Sequence, residues 1–536
     1  MLKDMANNHP IKYKGAEVCT PVTCHLFPVT FLLLTTFLLL PLQSVLAASL
    51  PDLIQAGDRE EALELVRLGS NVNERQGDGS TALLWSVYQV DLELTQALLS
   101  READPDSQNN YGASPLGEAV KLGHPALVKA LLENGADVEA ANADGQTALM
   151  LATRNGVVEV VELLLEYGAD VNVVESWRGQ TPLMWAAANN HPEVTRLLLD
   201  HGADYSVRAF AFDWGSQITS EPRAQYRPTG GLTALLYASR TGCTDCVKAI
   251  LDAGADINKP TPEGITPLNI AIDNYRFDTA KLLLEEGANP HLWDWWGRTP
   301  LYVAIDMNSY RPRGGANGDD QETSALEIAR MLLDAGVNVD AQLNFHRPGR
   351  GGNSGRFVDD PLTTGATPLI RAATMHDLEA VKLLLEYGAD VNLPNTMGAT
   401  PLLVAAGFGN ARSILRGTYP PDQEQKVIPV LEVLLDAGAD IHAKVTDTRS
   451  HNARIARMST MTERQGQNVL FAATKQNWLG VVKYLLQQGA DSSVVDVNGK
   501  TLLDAAIADN AGGRQDRPEN EEVIAFVRDL LGEASD

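Results

Sequence analysis

The residues best suited to chemistry are a cysteine pair, a set of tryptophans and several arginine-rich stretches. Cys243 and Cys246 stand in RTGCTDCVKAIL, a C-x-x-C spacing at which two thiols can pair, exchange electrons or share a metal. Zinc takes four ligands and finds two here, and a haem attachment needs histidine where Val247 stands. Three readings stay open: Cys246 as an apolar core residue, a local disulfide, or a redox pair, although no thioredoxin-like strand pattern surrounds it. Gly499, Lys500 and Thr501 mimic the end of a phosphate loop, but Val494 occupies the place of its first glycine. No H-E-x-x-H or G-x-S-x-G occurs, and no isolated carboxylate pair stands out. The sequence therefore predicts a chain that is not an enzyme and holds neither cofactor nor metal.

Binding chemistry is better supplied. Trp177, Trp214, Trp293, Trp295 and Trp296 cluster near chain reversals, with Arg178 and Arg298 beside them. Indole and guanidinium combine large contact area with few flexible bonds, so they dominate interface energetics. A second group is cationic: residues 205–230, 341–364 and 443–465 together carry 11 basic and 6 acidic positions. Arg347, Arg350, Arg356, Arg454 and Arg457 lie among them, and guanidinium forks suit carboxylate and phosphate. An acidic partner protein or an anionic ligand would fit these arginines. So would the protein's own acidic body.

The elements that must position these residues follow from a repeat. Glycines at 79, 112, 145, 179, 231, 264, 297, 365, 398, 466 and 499 each open G-x-[TSN]-[PAVL]-L, mostly 33 residues apart. Thr181, Thr266, Thr299, Thr367 and Thr400 are suited to cap a first helix, with proline next in the N1 slot where no amide hydrogen is needed. A second helix repeats an apolar face such as Val160, Leu163 and Leu164, then stops at a glycine such as Gly168, Gly254 or Gly388. Units such as GQTALMLATRNGVVEVVELLLEYGADVN resemble the ankyrin-repeat family. The resemblance implies an all-α repeat solenoid of paired antiparallel helices with hairpin fingers, about twelve units in all, and a binding role. It also places Trp295, Trp296 and Arg298 at finger positions that vary among family members and carry their contacts. One departure is consistent: the histidine the family usually has after T-P-L is replaced in every unit, for instance by Met184, Asn269 and Tyr302.

The period breaks in three places, with extra lengths of 19 residues after Gly179 and 35 after both Gly297 and Gly398. The chain accordingly divides into 1–47, a leader; 48–78, a capping repeat; 79–230, repeats 2–5 with a finger insertion at 205–230; 231–364, repeats 6–8 with insertions at 308–323 and 341–364; 365–465, repeats 9–10 with insertions at 407–424 and 443–465; and 466–536, repeats 11–12 with a closing cap. Trp85, Trp185 and Tyr237 share one register on the first helices with Leu151, Ile270, Val303 and Val404, and read as half-buried packing.

Phe27 to Leu46 is uncharged and apolar, follows Lys3, Lys12 and Lys14, and ends in small residues before Ala48. This pattern predicts a secretory signal cleaved after Ala47 and a periplasmic or secreted product; uncleaved, the same segment would anchor the protein in a membrane as an envelope spacer. The net charge of −26 disfavours nucleic acid as a partner. Oligomeric state has no signature in the sequence.

Overall fold

A computed structural model describes residues 49–142, 144–217, 225–309, 321–344, 364–409, 423–446, 464–507 and 518–532. Residues 1–48, which carry the leader, lie outside the described residues. Among the described residues, twenty-four helices pair into twelve helix-turn-helix units. Each unit has an inner helix, the first of the pair, and an outer helix, the second.

The inner helices are α1 (Leu50–Ala56), α3 (Ala82–Tyr88), α5 (Pro115–Lys121), α7 (Ala148–Asn155), α9 (Pro182–Ala188), α11 (Ala234–Thr241), α13 (Pro267–Asp273), α15 (Pro300–Ser309), α17 (Pro368–Thr374), α19 (Pro401–Ala405), α21 (Val469–Lys475) and α23 (Leu502–Ile507). Each packs on the next inner helix along the chain. The outer helices, from α2 (Arg59–Leu68) through α10 (Pro192–Asp200) and α12 (Thr244–Asp252) to α22 (Leu479–Gln487), lie beside them, and most pack on the next outer helix along the chain. α9 still packs on α11, and α15 on α17, so the added residues leave the stack unbroken. One run of buried aliphatic side chains extends from Leu50 to Val527 because no unit covers its own apolar face.

Local chemistry explains the starts and stops. The hydroxyls of Thr181, Thr266, Thr299, Thr367 and Thr400 accept the backbone N–H three residues on, at 3.1–3.3 Å. Outer helices end where Gly168, Gly388 and Gly489 enter the left-handed region. The turn between inner and outer helix needs the same conformation. Gly57, Gly123, Gly156 and Gly242 supply it in four units, but Val90, Asn190, Tyr275, His376 and Asn477 adopt it elsewhere with φ of 56° to 62°.

Fingers are tied to their neighbours through the backbone, which explains why loss of the family's histidine leaves the array intact. Asn110 N–H donates to Asp78 C=O, Phe210 to Arg178, Trp295 to Glu263, Thr396 to Thr364 and Val497 to Gln465, at 2.7–3.1 Å. The asparagine of A-D-V-N adds a second tie: Asn172 accepts from Asp204 N–H and donates to Gly202 C=O in the next unit. One departure from an all-helical chain lies in the insertion at 205–230. Strand β1 (Ala211–Gln217) pairs antiparallel with β2 (Gln225–Gly230), Ala211 facing Gly230, with an irregularity between Trp214 and Gln217. Both strands thus rise from a finger that was already a hairpin.

Candidate interaction surfaces

The finger after α8 (Val158–Glu166) holds Trp177 and Arg178 at its tip. The Glu175 carboxylate is buried and accepts the backbone N–H groups of Trp177, Arg178 and Gln180 at 2.6, 2.7 and 3.2 Å, closing the tip into one conformation. Phe210 packs over Gly179, where a Cβ would come within 2.5 Å of its ring. With no apolar cover of its own, the Trp177 indole is 70 % exposed.

The finger WDWWGR after α14 (Phe277–Glu285) alternates outward and inward side chains. Trp293 and Trp295 are 62 % and 51 % exposed, whereas Trp296 and Arg298 are each 4 % exposed. Asp294 is the reason: its fully buried carboxylate accepts the N–H of Trp296 at 3.0 Å, the N–H of Arg298 at 2.9 Å and Arg298 Nε at 2.7 Å. The guanidinium lies 5.4 Å from the Trp296 ring centre and reaches Asp273 on α13 at 3.4 Å. Burial pushes the Asp294 carboxyl above the ordinary carboxylate range, with the charge and donors of Arg298 pulling the other way. For Arg298, burial opposes the charge, but Asp273, Asp294 and Asp306 outweigh it and hold the guanidinium above its usual value. Trp296 and Arg298, expected at the contact surface, therefore serve the interior: they fasten a finger to an inner helix. Arg347, Arg350, Arg356, Arg454 and Arg457 lie outside the described residues.

The inner helices carry a second surface that changes character along the stack. Seven residues after the helix cap stand Tyr88, Lys121 and Arg154, all exposed, Ala188, half-buried, Arg240, exposed, then Asp273, half-buried, then Asp306 and Thr374, both buried. Four residues after the cap, Trp85 and Trp185 are half-buried, Tyr237 is nearly covered, and Val303, Arg371 and Val404 are sealed. Arg371 and Asp306 are each 2 % exposed and are joined through Arg371 Nε. Sequence reasoning missed this pair and the cationic row before it. The signal was there, since Arg371 falls in a register that, apart from Glu118 in unit 3, holds tryptophan, tyrosine or an aliphatic residue in other units.

Cys243 and Cys246 are joined by a disulfide at the start of α12, where the Cys243 sulfur also accepts Cys246 N–H at 3.1 Å. Both cysteines are buried. Among the described residues, no group of three or more His, Cys, Asp and Glu is placed to hold a metal, and no helix is long and apolar enough to cross a membrane.

The sequence profile described as Ankyrin repeats (3 copies) matches residues 50–142, 138–209, 235–343 and 326–419, more than half of the chain. Among solved structures, the chain is similar to the human ASB11 ankyrin repeat domain, at 22 % identity and a TM-score of 0.37, over 45 % of this chain and 98 % of that one. No curated protein matches the sequence.

Proposed function

Because this chain belongs to the ankyrin-repeat family, whose repeats are generally protein-binding scaffolds, we propose that it is an exported, non-enzymatic scaffold that grips a partner protein with its finger tips. The observation that carries this reading is the exposure of Trp177, Trp293 and Trp295 on fingers whose backbones are held by buried carboxylates. An exposed indole on a rigid loop gains much contact area and loses little freedom on binding. Arg178 stands beside the first of these tryptophans, and Arg347, Arg350, Arg356, Arg454 and Arg457 extend the reading toward an acidic partner or an anionic ligand. Export rests on the leader pattern, with cleavage after Ala47. N-terminal sequencing of the mature protein separates it from the alternative, an envelope spacer anchored by Phe27 to Leu46.

The test places photo-crosslinking side chains at 177 and 295, identifies the captured protein, and measures its affinity for the wild type and for the Trp177→Ala/Trp295→Ala double variant. Loss of two anchor indoles should weaken binding by at least about thirtyfold, in keeping with about 2 kcal/mol or more for such residues. Unchanged affinity, with the helical content intact, would refute the finger reading.

A further inference from the structure

The inner-helix row supplies a surface separate from the finger tips. On a chain of net charge −26, the last turns of three inner helices in the first half of the stack carry cations: Lys121 on α5, Arg154 on α7 and Arg240 on α11. Lys121 is paired with Glu118 at 2.6 Å. Arg154 and Arg240 are exposed, and among the described residues neither side chain forms an ion pair. Both are held over aromatic rings, Arg154 at 5.7 Å from the Trp185 ring centre and Arg240 at 5.0 Å from that of Tyr237. Stacking on a ring flattens a guanidinium against the surface and leaves its N–H edge free to take an acceptor in the ring plane.

A helix C-terminus favours a cation by itself, and that accounts for one such residue on any helix. It does not account for the two rings beneath, nor for the orientation of Tyr237, whose hydroxyl accepts Gln180 Nε2 at 2.7 Å. Nor does it explain the reversal of sign one unit later, where Asp273 and then Asp306 take the same register. The row is therefore cationic only over a bounded stretch.

We propose that this face, from Arg154 across Trp185 and Tyr237 to Arg240, binds an acidic peptide segment in extended conformation, each arginine taking a carboxylate. The Arg154 head lies over a ring on α9 and the Arg240 head over a ring on the next inner helix, α11, and neighbouring inner helices stack about 8–10 Å apart, so the two guanidinium groups are about 10–20 Å apart. An extended chain advances about 3.3 Å per residue, which sets the two carboxylates about three to six residues apart. The intervening residues pass beside the half-buried Trp185 ring that Arg154 covers, and beyond Arg240 the row turns acidic at Asp273.

Fluorescence anisotropy on the full chain tests the assignment with labelled, extended peptides carrying glutamates about three to six residues apart. The expected result is saturable binding that weakens with salt, falls about tenfold with Arg154→Ala or Arg240→Ala, and is unchanged by Arg67→Ala, an exposed arginine on outer helix α2 paired with Glu64 at 3.7 Å. Circular dichroism of each variant checks that the helices are retained. Three outcomes overturn the proposal: no binding of the acidic peptide, equal binding of the same peptide with lysines in place of glutamates, or affinity that survives the Arg154→Ala/Arg240→Ala double variant.

Discussion

The inner helices of units 2 to 6 and those of units 8 and 9 are built on one pattern but treat it in opposite ways. In the first group, the register seven residues after the cap reaches solvent through Tyr88, Lys121, Arg154 and Arg240, with the half-buried Ala188 in unit 5. In the second it is sealed, and the charges there are Asp306 and, from the register four after the cap, Arg371. Charge at the surface is inexpensive and available to a partner, whereas charge in the interior needs its counter-ion in place. Unit 8 also carries extra sequence between its helices, and unit 5 is followed by a hairpin. The lesson is that a repeat fixes where a side chain stands and leaves open whether that place is surface or core.

The contrast is broken most severely at the buried pair. Arg371→Met removes the guanidinium joined to the buried Asp306 carboxylate and should lower stability by about 3–5 kcal/mol, while the Asp306→Leu/Arg371→Met double variant should recover most of that loss. Urea denaturation of the single and double variants measures the difference. If the single change costs no more than a surface substitution such as Arg154→Ala, the two regions are not distinct in the way described.

His376, in the sealed region, sharpens the contrast through pH. Burial holds its imidazole down to about 4, and Nε2 is 2.8 Å from Ala405 C=O. The unfolded chain then binds a proton more readily than the folded one. The neutral histidine is therefore tolerated fully above the unfolded value of about 6.5, and stability falls as pH drops from there towards about 4, by about 3 kcal/mol in all. His376→Asn keeps a residue suited to the left-handed turn and should flatten that part of the pH profile; an unchanged profile would place the pH dependence elsewhere.

The disulfide belongs to the open region. Joining residues so close in sequence restricts the unfolded chain modestly, so reduction should cost about 2 kcal/mol. Hydrogen exchange should show the loss at α12 and its neighbours α10 and α14 rather than at α17. The smallest effect is expected at Val90, a β-branched residue at φ 59°. Val90→Gly relieves the turn at some cost in unfolded-state entropy, and a gain of about 0.5–1 kcal/mol in thermal unfolding is expected. A loss would mean that the Val90 side chain contributes more by packing than its backbone strain removes.

Most of the fold was legible because each unit repeats its own start and stop signals. Thr181 with Pro182 and Gly168 after Leu165 specify helix ends by local chemistry that needs no tertiary information. The surfaces were only half legible. Trp177 and Trp295 could be placed on fingers from spacing alone, but the inward turn of Trp296 and Arg298 depends on Asp294 folding back over its own loop. Burial of that kind is decided by neighbours one unit away, such as Asp273, which no local pattern reveals. Arg371 and Asp306 stand 65 positions apart and meet only once units 8 and 9 stack. The strands of the fifth finger were equally hidden, since Ala211–Gln217 reads as loop until Gln225–Gly230 lies against it.

The alternation in WDWWGR has a kinetic consequence. Asp294 and Trp296 are buried when the chain folds, so Trp293 and Trp295 face solvent from a backbone held in one conformation. A visiting molecule then meets a surface whose shape is set in advance. Tightening such a contact should act chiefly through slower departure and not through faster arrival.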